Sequence, residues 1–525
     1  MAKRLGPTSW IGFAGVTAIG VAIVAIVLGT GLFGRLEAGQ KVLNATEPVF
    51  APQQVVGARA GINAISVAVN AADPIVTAKG GAAAEVPKLV AFVAEKTGLS
   101  QPEVLAALQK NFPHTTSLLL ATPLANVTAE LPKLVALLSS VLKLPQADVL
   151  TALQTSFPRI AQAVGALPKV TAGWDSVPGI AGLTRFDGSP VTTVPGIRDY
   201  FSSDVIPVVE KRQQQFTNVN TLTPNIVFIP PLVLSVGALI IAFGGVMTFR
   251  AFRRRQHPLE AAWAWGVVGV VGLVVVAVLC TLRLFVSLDS ADMLIKDLRP
   301  VFTQQRIQAD TPAIAMVSTV VDLLDPITTD KGGAAAEVPK LIAFVSQQSG
   351  LPQADVVAAL QKTVPQTTAL LLALPLSAVS AELPKLVGFL ETTLKVTPAQ
   401  LTQALTTNFP RLAQSIANLP VLTAAWDKLP GAPGFTRLDG KPITNVTGVR
   451  DYFGADVIPT LAAQRSHFDR LDESWPAGVF APLLLAIALV AAAAGFTQAF
   501  RYQYDPNTKT GQTTASRGTG AVAGV

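Results

Sequence analysis

Cysteine is almost missing: Cys280 is the single one in 525 residues, and it sits inside an apolar run. No disulfide can form within the chain, and a lone thiol among apolar neighbours reads as a small packing residue. Histidine is nearly as scarce. His114, His257 and His467 lie far apart in sequence, and with no cysteine pair beside them a zinc site has no support. Charge is thin as well. Only 14% of residues are charged, against about a quarter in an ordinary soluble domain. Half are hydrophobic, and the mean hydropathy is +0.47. A soluble chain of this length would divide into several domains, but this composition favours a membrane.

Four apolar stretches answer to that: Trp10–Phe33, Ile226–Phe249, Ala261–Phe285 and Ala477–Phe500. Each reaches the roughly 20 residues that cross a hydrocarbon core. Their interiors lack Asp, Glu, Lys and His, and Arg283 stands near one end. Ionisable groups inside spans mark ion and proton pathways, so an autonomous ion-coupled transporter is disfavoured. The first stretch follows Lys3 and Arg4 as a signal peptide would, but its apolar run is long and no small-residue cleavage site follows before Arg35. It reads as an uncleaved anchor. Gly12, Gly15, Gly20, Gly266, Gly269 and Gly272 suit close helix packing.

The net charge of +7 is a topology signal. Lys3, Arg4, Arg250, Arg253, Arg254, Arg255, Arg501, Lys509 and Arg517 flank the spans, with Glu260 and Asp505 the acids among them. The long segments 34–225 and 286–476 carry almost balanced charge. Basic flanks stay in the cytoplasm. The expected order is a cytoplasmic N-terminus (1–9), a span (10–33), an outer domain (34–225), a span (226–249), a cytoplasmic Arg-rich loop (250–260), a span (261–285), a second outer domain (286–476), a span (477–500) and a disordered cytoplasmic tail (501–525). That places the protein in a plasma membrane with both termini inside. Nucleic acid is not an expected partner, because the basic residues serve topology.

The two long segments are copies. Asp73–Val93 reads DPIVTAKGGAAAEVPKLVAFV and Asp325–Val345 reads DPITTDKGGAAAEVPKLIAFV. The same spacing of 252 joins Pro48 to Pro300, Trp174 to Trp426, Arg185 to Arg437, Asp187 to Asp439, Tyr200 to Tyr452, Asp204 to Asp456 and Pro230 to Pro482. A whole unit of span, domain and span was duplicated in parallel orientation, unlike the inverted repeats of many transporters. A shorter repeat is nested inside. Glu85-Val86-Pro87-Lys88-Leu89 recurs as Glu130-Leu131-Pro132-Lys133-Leu134, and again from Glu337 and Glu382. Phe112-Pro113, Phe157-Pro158 and Phe409-Pro410 close such units. Each unit reads as two short helices. Pro87 suits a first turn, Gly98 a stop, and Ser100 with Glu103, or Thr397 with Gln400, a capping box. The fold class expected is a mainly α membrane protein with two homologous helical outer domains.

Each domain ends in a Gly- and Pro-rich segment, 174–207 and 426–459. Asp187-Gly188 and Asp439-Gly440 there signal a hairpin turn, so a small β element or ordered loop is expected, followed by helix. Its paired motifs are the candidate site. Arg185, Asp187, Arg198 and Asp199, with Arg437, Asp439, Arg450 and Asp451, either bind an anionic head group or pin the loop with salt bridges. Lys79-Gly80-Gly81 and Lys331-Gly332-Gly333 precede helices but lack phosphate-loop spacing. Ser140-Val141-Leu142-Lys143 matches Ser-x-x-Lys, yet the second copy has Thr392 and no companion motif. Asn44, Asn126 and Asn445 open glycosylation sequons.

No residue set carries a recognisable chemistry, so no enzyme and no cofactor is expected. The first reading is a cell-envelope protein whose outer domains bind a partner protein, a second copy or an envelope component, with membrane lipids around its spans. The alternative is a handler of lipids or hydrophobic ligands, with Leu118–Leu120 and Leu370–Leu372 lining a cavity. A sensor acting through a partner comes third. The topology has a direct test. Single cysteines replace Ser176, Lys428 or Arg254 in a chain whose Cys280 is serine. An impermeant thiol reagent on intact cells should label the first two and spare the third; labelling at 254 reverses the orientation.

Overall fold

The computed structural model describes residues 9–29, 31–77, 81–220, 226–253, 258–281, 284–329, 333–472 and 477–503. Lys3, Arg4, Arg254, Arg255, Arg283, the two Lys-Gly pairs at 79–80 and 331–332, and the expected tail from 504 onward lie outside those residues. The chain is almost entirely helical, with no named strand among the described residues. The first half runs α1 (Ser9–Gly29), α2 (Leu32–Phe50), α3 (Pro52–Val76), α4 (Ala82–Thr97), α5 (Gln101–Asn111), α6 (Pro113–Leu120), α7 (Leu124–Leu142), α8 (Gln146–Ser156), α9 (Pro158–Gly173), α10 (Val194–Asp199), α11 (Ile206–Asn220) and α12 (Ile229–Phe252). The second runs α13 (Pro258–Thr281), α14 (Leu284–Leu298), α15 (Gln304–Thr328), α16 (Ala334–Ser349), α17 (Gln353–Thr363), α18 (Pro365–Ala373), α19 (Leu376–Leu394), α20 (Pro398–Asn408), α21 (Pro410–Trp426), α22 (Val446–Asp451), α23 (Ile458–Asp472) and α24 (Ala477–Gln503). One π-helical turn leads into α11 (Tyr200–Val205) and another into α23 (Tyr452–Val457). From α3 to α11, each helix starts 252 residues before its counterpart in α15 to α23.

Local sequence explains the breaks. Phe112, Phe157, Val364 and Phe409 each precede a proline and leave helical geometry, with φ near −136°. Proline forces that on its predecessor, then opens the next helix at N1. Gly98 and Gly350 end α4 and α16 in the left-handed region, at φ +71°. Lys143 and Lys395 take the same role for α7 and α19. The capping boxes at Ser100 and Thr397 form as expected. Pro87 differs from expectation: α4 begins at Ala82, so the proline lies in the second turn. The alanines at 82–84 are strong helix formers and extend the helix back past it.

The chain divides into two compact units. Residues 1–47, 212–299 and 463–525 form one; residues 48–211 and 300–462 form the other. Matching segments of both halves thus build a single compact unit. Residues 34–47 and 212–220 also group with the apolar helices of the first unit.

In the first unit α1 pairs with α12, and α13 with α24. Small residues let the backbones close up. A Cβ on Gly20 would lie 2.9 Å from the Gly237 carbonyl oxygen, and one on Gly495 would lie 2.3 Å from the Gly269 nitrogen. Gly12 and Gly272 are similarly filled, whereas Gly15 and Gly266 face open space. Phe13 stacks on Trp265 at 4.8 Å between ring centroids, joining the two pairs. Among the described residues, seven helices are long and apolar enough to cross a membrane: α1, α12, α13 and α24 from this unit, and α3, α7 and α15 from the other. The bent pair α18–α19 would add an eighth.

The second unit is interlocked. α3 packs on α21, α15 on α9, and α6 on α18, each contact joining one copy to the other. Ring contacts Phe92–Phe409, Phe112–Phe389 and Phe157–Phe344 do the same. The glutamates of the nested repeat fasten this arrangement. Glu85 accepts from the backbone N–H groups of Arg411 and Leu412, at 3.2 and 2.9 Å, capping α21. Glu382 returns the contact, accepting from His114 and Thr115 at the start of α6. Glu130 caps α18 at Gln366 and Thr367, and Glu337 caps α9 at Arg159 and Ile160. The first N–H groups of a helix have no intrahelical acceptor, and an anion there gains from the helix dipole and from charge-assisted bonds. Asp73 adds a further tie, accepting from Trp174 Nε1 (2.8 Å) within its own half and from Arg411 (2.6 Å) of the other. Asp325 does so with Trp426 and Arg159.

The copies are not interchangeable in detail. A Cβ on Gly57 would come within 2.2 Å of the Phe435 ring. The matched positions hold Ala309 and Leu183. The larger ring in one half goes with the smaller helix residue.

Glu85 is buried, at 8% exposure. Glu85→Ala should cost about 2–4 kcal/mol by stranding two buried N–H groups, read as a lowered Tm, with Glu85→Gln costing less. Adding Glu382→Ala should cost less than the sum of the single changes, because both caps hold one pair of hairpins. Glu85→Ala with Glu130→Ala should be additive.

Candidate functional site

The Gly- and Pro-rich segments are ordered loops. Each carries one isolated antiparallel bridge, Thr184 with Pro190 and Thr436 with Pro442, and no strand. The expected hairpin turn is real but tight. Gly188 takes φ +88° and Gly440 +84°, a left-handed geometry that a β-carbon disfavours. The Gly188 N–H donates to the Arg185 carbonyl, and the Arg185 N–H to the Ser189 carbonyl. Too few residues flank the turn for a ladder to grow. Phe186, Tyr200 and Phe201 stack edge to face beneath it.

Each candidate residue meets a partner within the chain. Arg185 forms a fork with Asp204, at 3.1 Å from Nε and 2.8 Å from Nη2. Asp204 also accepts from the Phe186 N–H. Arg437 repeats this on Asp456, which also accepts from the Leu438 N–H. Asp187 accepts from the Ser189 N–H and hydroxyl, and Asp439 pairs with Lys441. Arg198 bonds Asp199 and Asn70; Arg450 bonds Asp451 and Asp322. The turn is therefore tied to the π-helical turn by an arginine–aspartate fork, the pinning role weighed above.

The pKa directions agree. The hydrogen bond to Asp204 raises Arg185, and that to Asp456 raises Arg437. The Arg437 hydrogen bond, outweighing burial, holds Asp456 below the usual carboxylate range. Hydrogen bonds from the side chains of Ser189 and Lys441 lower Asp187 and Asp439.

Arg198 and Arg450 also border a small cleft between the copies. Its walls include the matched pairs Ile62 and Ile314, Ile65 and Val317, and Phe201 and Phe453. Both arginines already carry aspartate partners there, so their charge is compensated. Leu118–Leu120 and Leu370–Leu372 do not line this cleft. Leu118 is in the core, and α6 packs on α18 where the copies meet.

Four carboxylates that tie the unit together lay outside the candidate set: the two fork partners Asp204 and Asp456, and Asp73 and Asp325, which accept from tryptophan side chains. Their recurrence at the repeat spacing was the available signal. Among the described residues no group of three or more His, Cys, Asp or Glu side chains is placed to hold a metal. Ser140 Oγ donates to the Leu137 carbonyl within its own helix. Asn445 caps α22 by accepting from the Gly448 N–H. No family model, no curated protein and no solved structure matches the chain.

The fork has a stability signature. Asp204 is nine-tenths buried in its side chain. Asp204→Ala should cost about 1–3 kcal/mol, seen as a lower Tm in the absence of any ligand, with Asp456→Ala behaving alike. Because Asp456 is held below its ordinary range, its contribution is present at neutral pH. It is lost as pH falls through that depressed value.

Proposed function

We propose that this is a non-enzymatic, four-span protein of the cell envelope, arisen by tandem duplication. α1, α12, α13 and α24 are its spans; α3, α7 and α15 are helices of the interlocked unit. That assignment rests on flanking charge and on the burial of α3 and α15 against other helices. The interlocked unit lies outside the membrane and binds a partner protein, a second copy of the chain or an envelope component.

The observation that carries this reading is at the hairpin tips. Leu99, Leu144 and Leu351 follow the left-handed residues Gly98, Lys143 and Gly350, and each is exposed, at 45%, 38% and 42%. Isolated exposed leucines are common. Recurrence at equivalent tips of a rigid unit favours a contact role. The carboxylates and arginines within the unit are spent on fastening it, which fits a rigid scaffold. A second reading, handling of lipid or another hydrophobic ligand, is favoured by the cleft beside Arg198 and Arg450.

Native mass spectrometry after purification in mild detergent, with lipid analysis of the same sample, separates the two. A protein partner or second copy at fixed stoichiometry, lost on changing Leu99, Leu144 and Leu351 together to serine, is the expected result. A tightly held lipid with no protein partner moves the assignment to lipid handling.

A further inference from the structure

The two halves differ where the long helix of one meets the loop of the other. The N-terminal part of α15 lies along the first-half loop: Pro312 approaches Gly179, and Arg306 donates to the Arg185 carbonyl (3.0 Å) and sits 4.7 Å over the Phe186 ring. Between these contacts Asp310 is buried, at 4% exposure. Its Oδ1 meets no donor at ordinary hydrogen-bond geometry, and the hydroxyl of fully buried Tyr200, which acts on it from the loop, meets no partner at that geometry either. In the matched place α3 carries Gln54, which donates to Thr436, and Ala58, neither of them ionisable.

We propose that Asp310 is an acid-tightened latch acting on one half of the interlocked unit. With its carboxyl neutral, the first-half segment 177–205 is held on α15; when the carboxyl ionises, that segment loosens. The matched segment 429–457, facing Ala58, does not respond.

The charged and titratable neighbours support this. On α15 itself Arg306 faces Asp310, and from the loop side Tyr200 does so; Asp204 acts on Tyr200 and not on Asp310. Asp204 is occupied by Arg185. α9 turns Arg159 to Asp325 at the far end of α15. α10 keeps Arg198 on Asp199, and α22 keeps Arg450 on Asp451 and Asp322. Burial pushes the Asp310 carboxyl up to about 7, against the opposing pull of Arg306 and the Tyr200 hydroxyl. A carboxyl raised from its ordinary 3.8 favours the docked state fully at low pH. That advantage falls about tenfold per pH unit as pH rises, and is gone above about 7.

Hydrogen exchange of the full-length protein in detergent tests the latch, with labelling times scaled for intrinsic exchange. The opening of 177–205 relative to 429–457 should rise about fiftyfold from pH 5 to pH 7 and level off at about a hundredfold by pH 8. Asp310→Ala, which installs the other half's residue, and Asp310→Asn should both abolish the step. A ratio independent of pH in the unaltered protein overturns the proposal, and so does a step that persists in both variants. The comparison of segments in the unaltered protein decides the matter even where a variant does not fold.

Discussion

A helix that begins at proline exposes backbone N–H groups with no acceptor of their own, and the interlocked unit is organised around satisfying them. Glu85, Glu130, Glu337 and Glu382 each reach the first turn of a helix in the opposite copy. The contacts are reciprocal in pairs. The hairpin carrying Glu85 and the helices around Glu382 cap each other, as do those around Glu130 and Glu337. Burial of apolar surface alone would tolerate several arrangements of such similar hairpins. A charged acceptor aimed at two particular N–H groups tolerates far fewer, because an unmet buried donor is expensive. The caps therefore fix which hairpin meets which.

Local structure was readable in the residues themselves. Phe-Pro junctions, left-handed Gly98 and the capping boxes are short-range effects, and they form where the sequence places them. The pairing between copies was not readable. A duplicated sequence offers each hairpin two nearly identical partners, and Glu85 has no local feature that distinguishes Arg411 from Arg159. Only the assembled core selects between them. The candidate arginines show the same limit. Their spacing to aspartates at 187 and 199 was visible, while the fork to Asp204 depends on a turn folding back over a π-helical segment.

The two halves share their helix order and spacing and differ at a few positions. Gly57 with Phe435, against Ala309 with Leu183, is a trade of volume across one contact. Ala58 against Asp310 is a trade of chemistry. Both occur where a long helix of one copy covers the loop of the other. That contact is thus a part of the unit where the two halves differ in chemistry, and where a response confined to one side can arise without disturbing the caps.

The chain passes between its two compact units at residues 47–48, 211–212, 299–300 and 462–463. This has a consequence for biosynthesis. α3 emerges early from the ribosome, yet α21 comes more than three hundred residues later. Until then the part of α3 that meets α21 and the carboxylate of Glu85 lack their native partners. The first half cannot complete itself, although a nearly identical substitute for its partner, α9, is already at hand. Newly made chains thus face a choice between a premature closed half and waiting for the second copy. Long-range closure of this kind slows folding and makes wrong pairing of repeats the characteristic hazard.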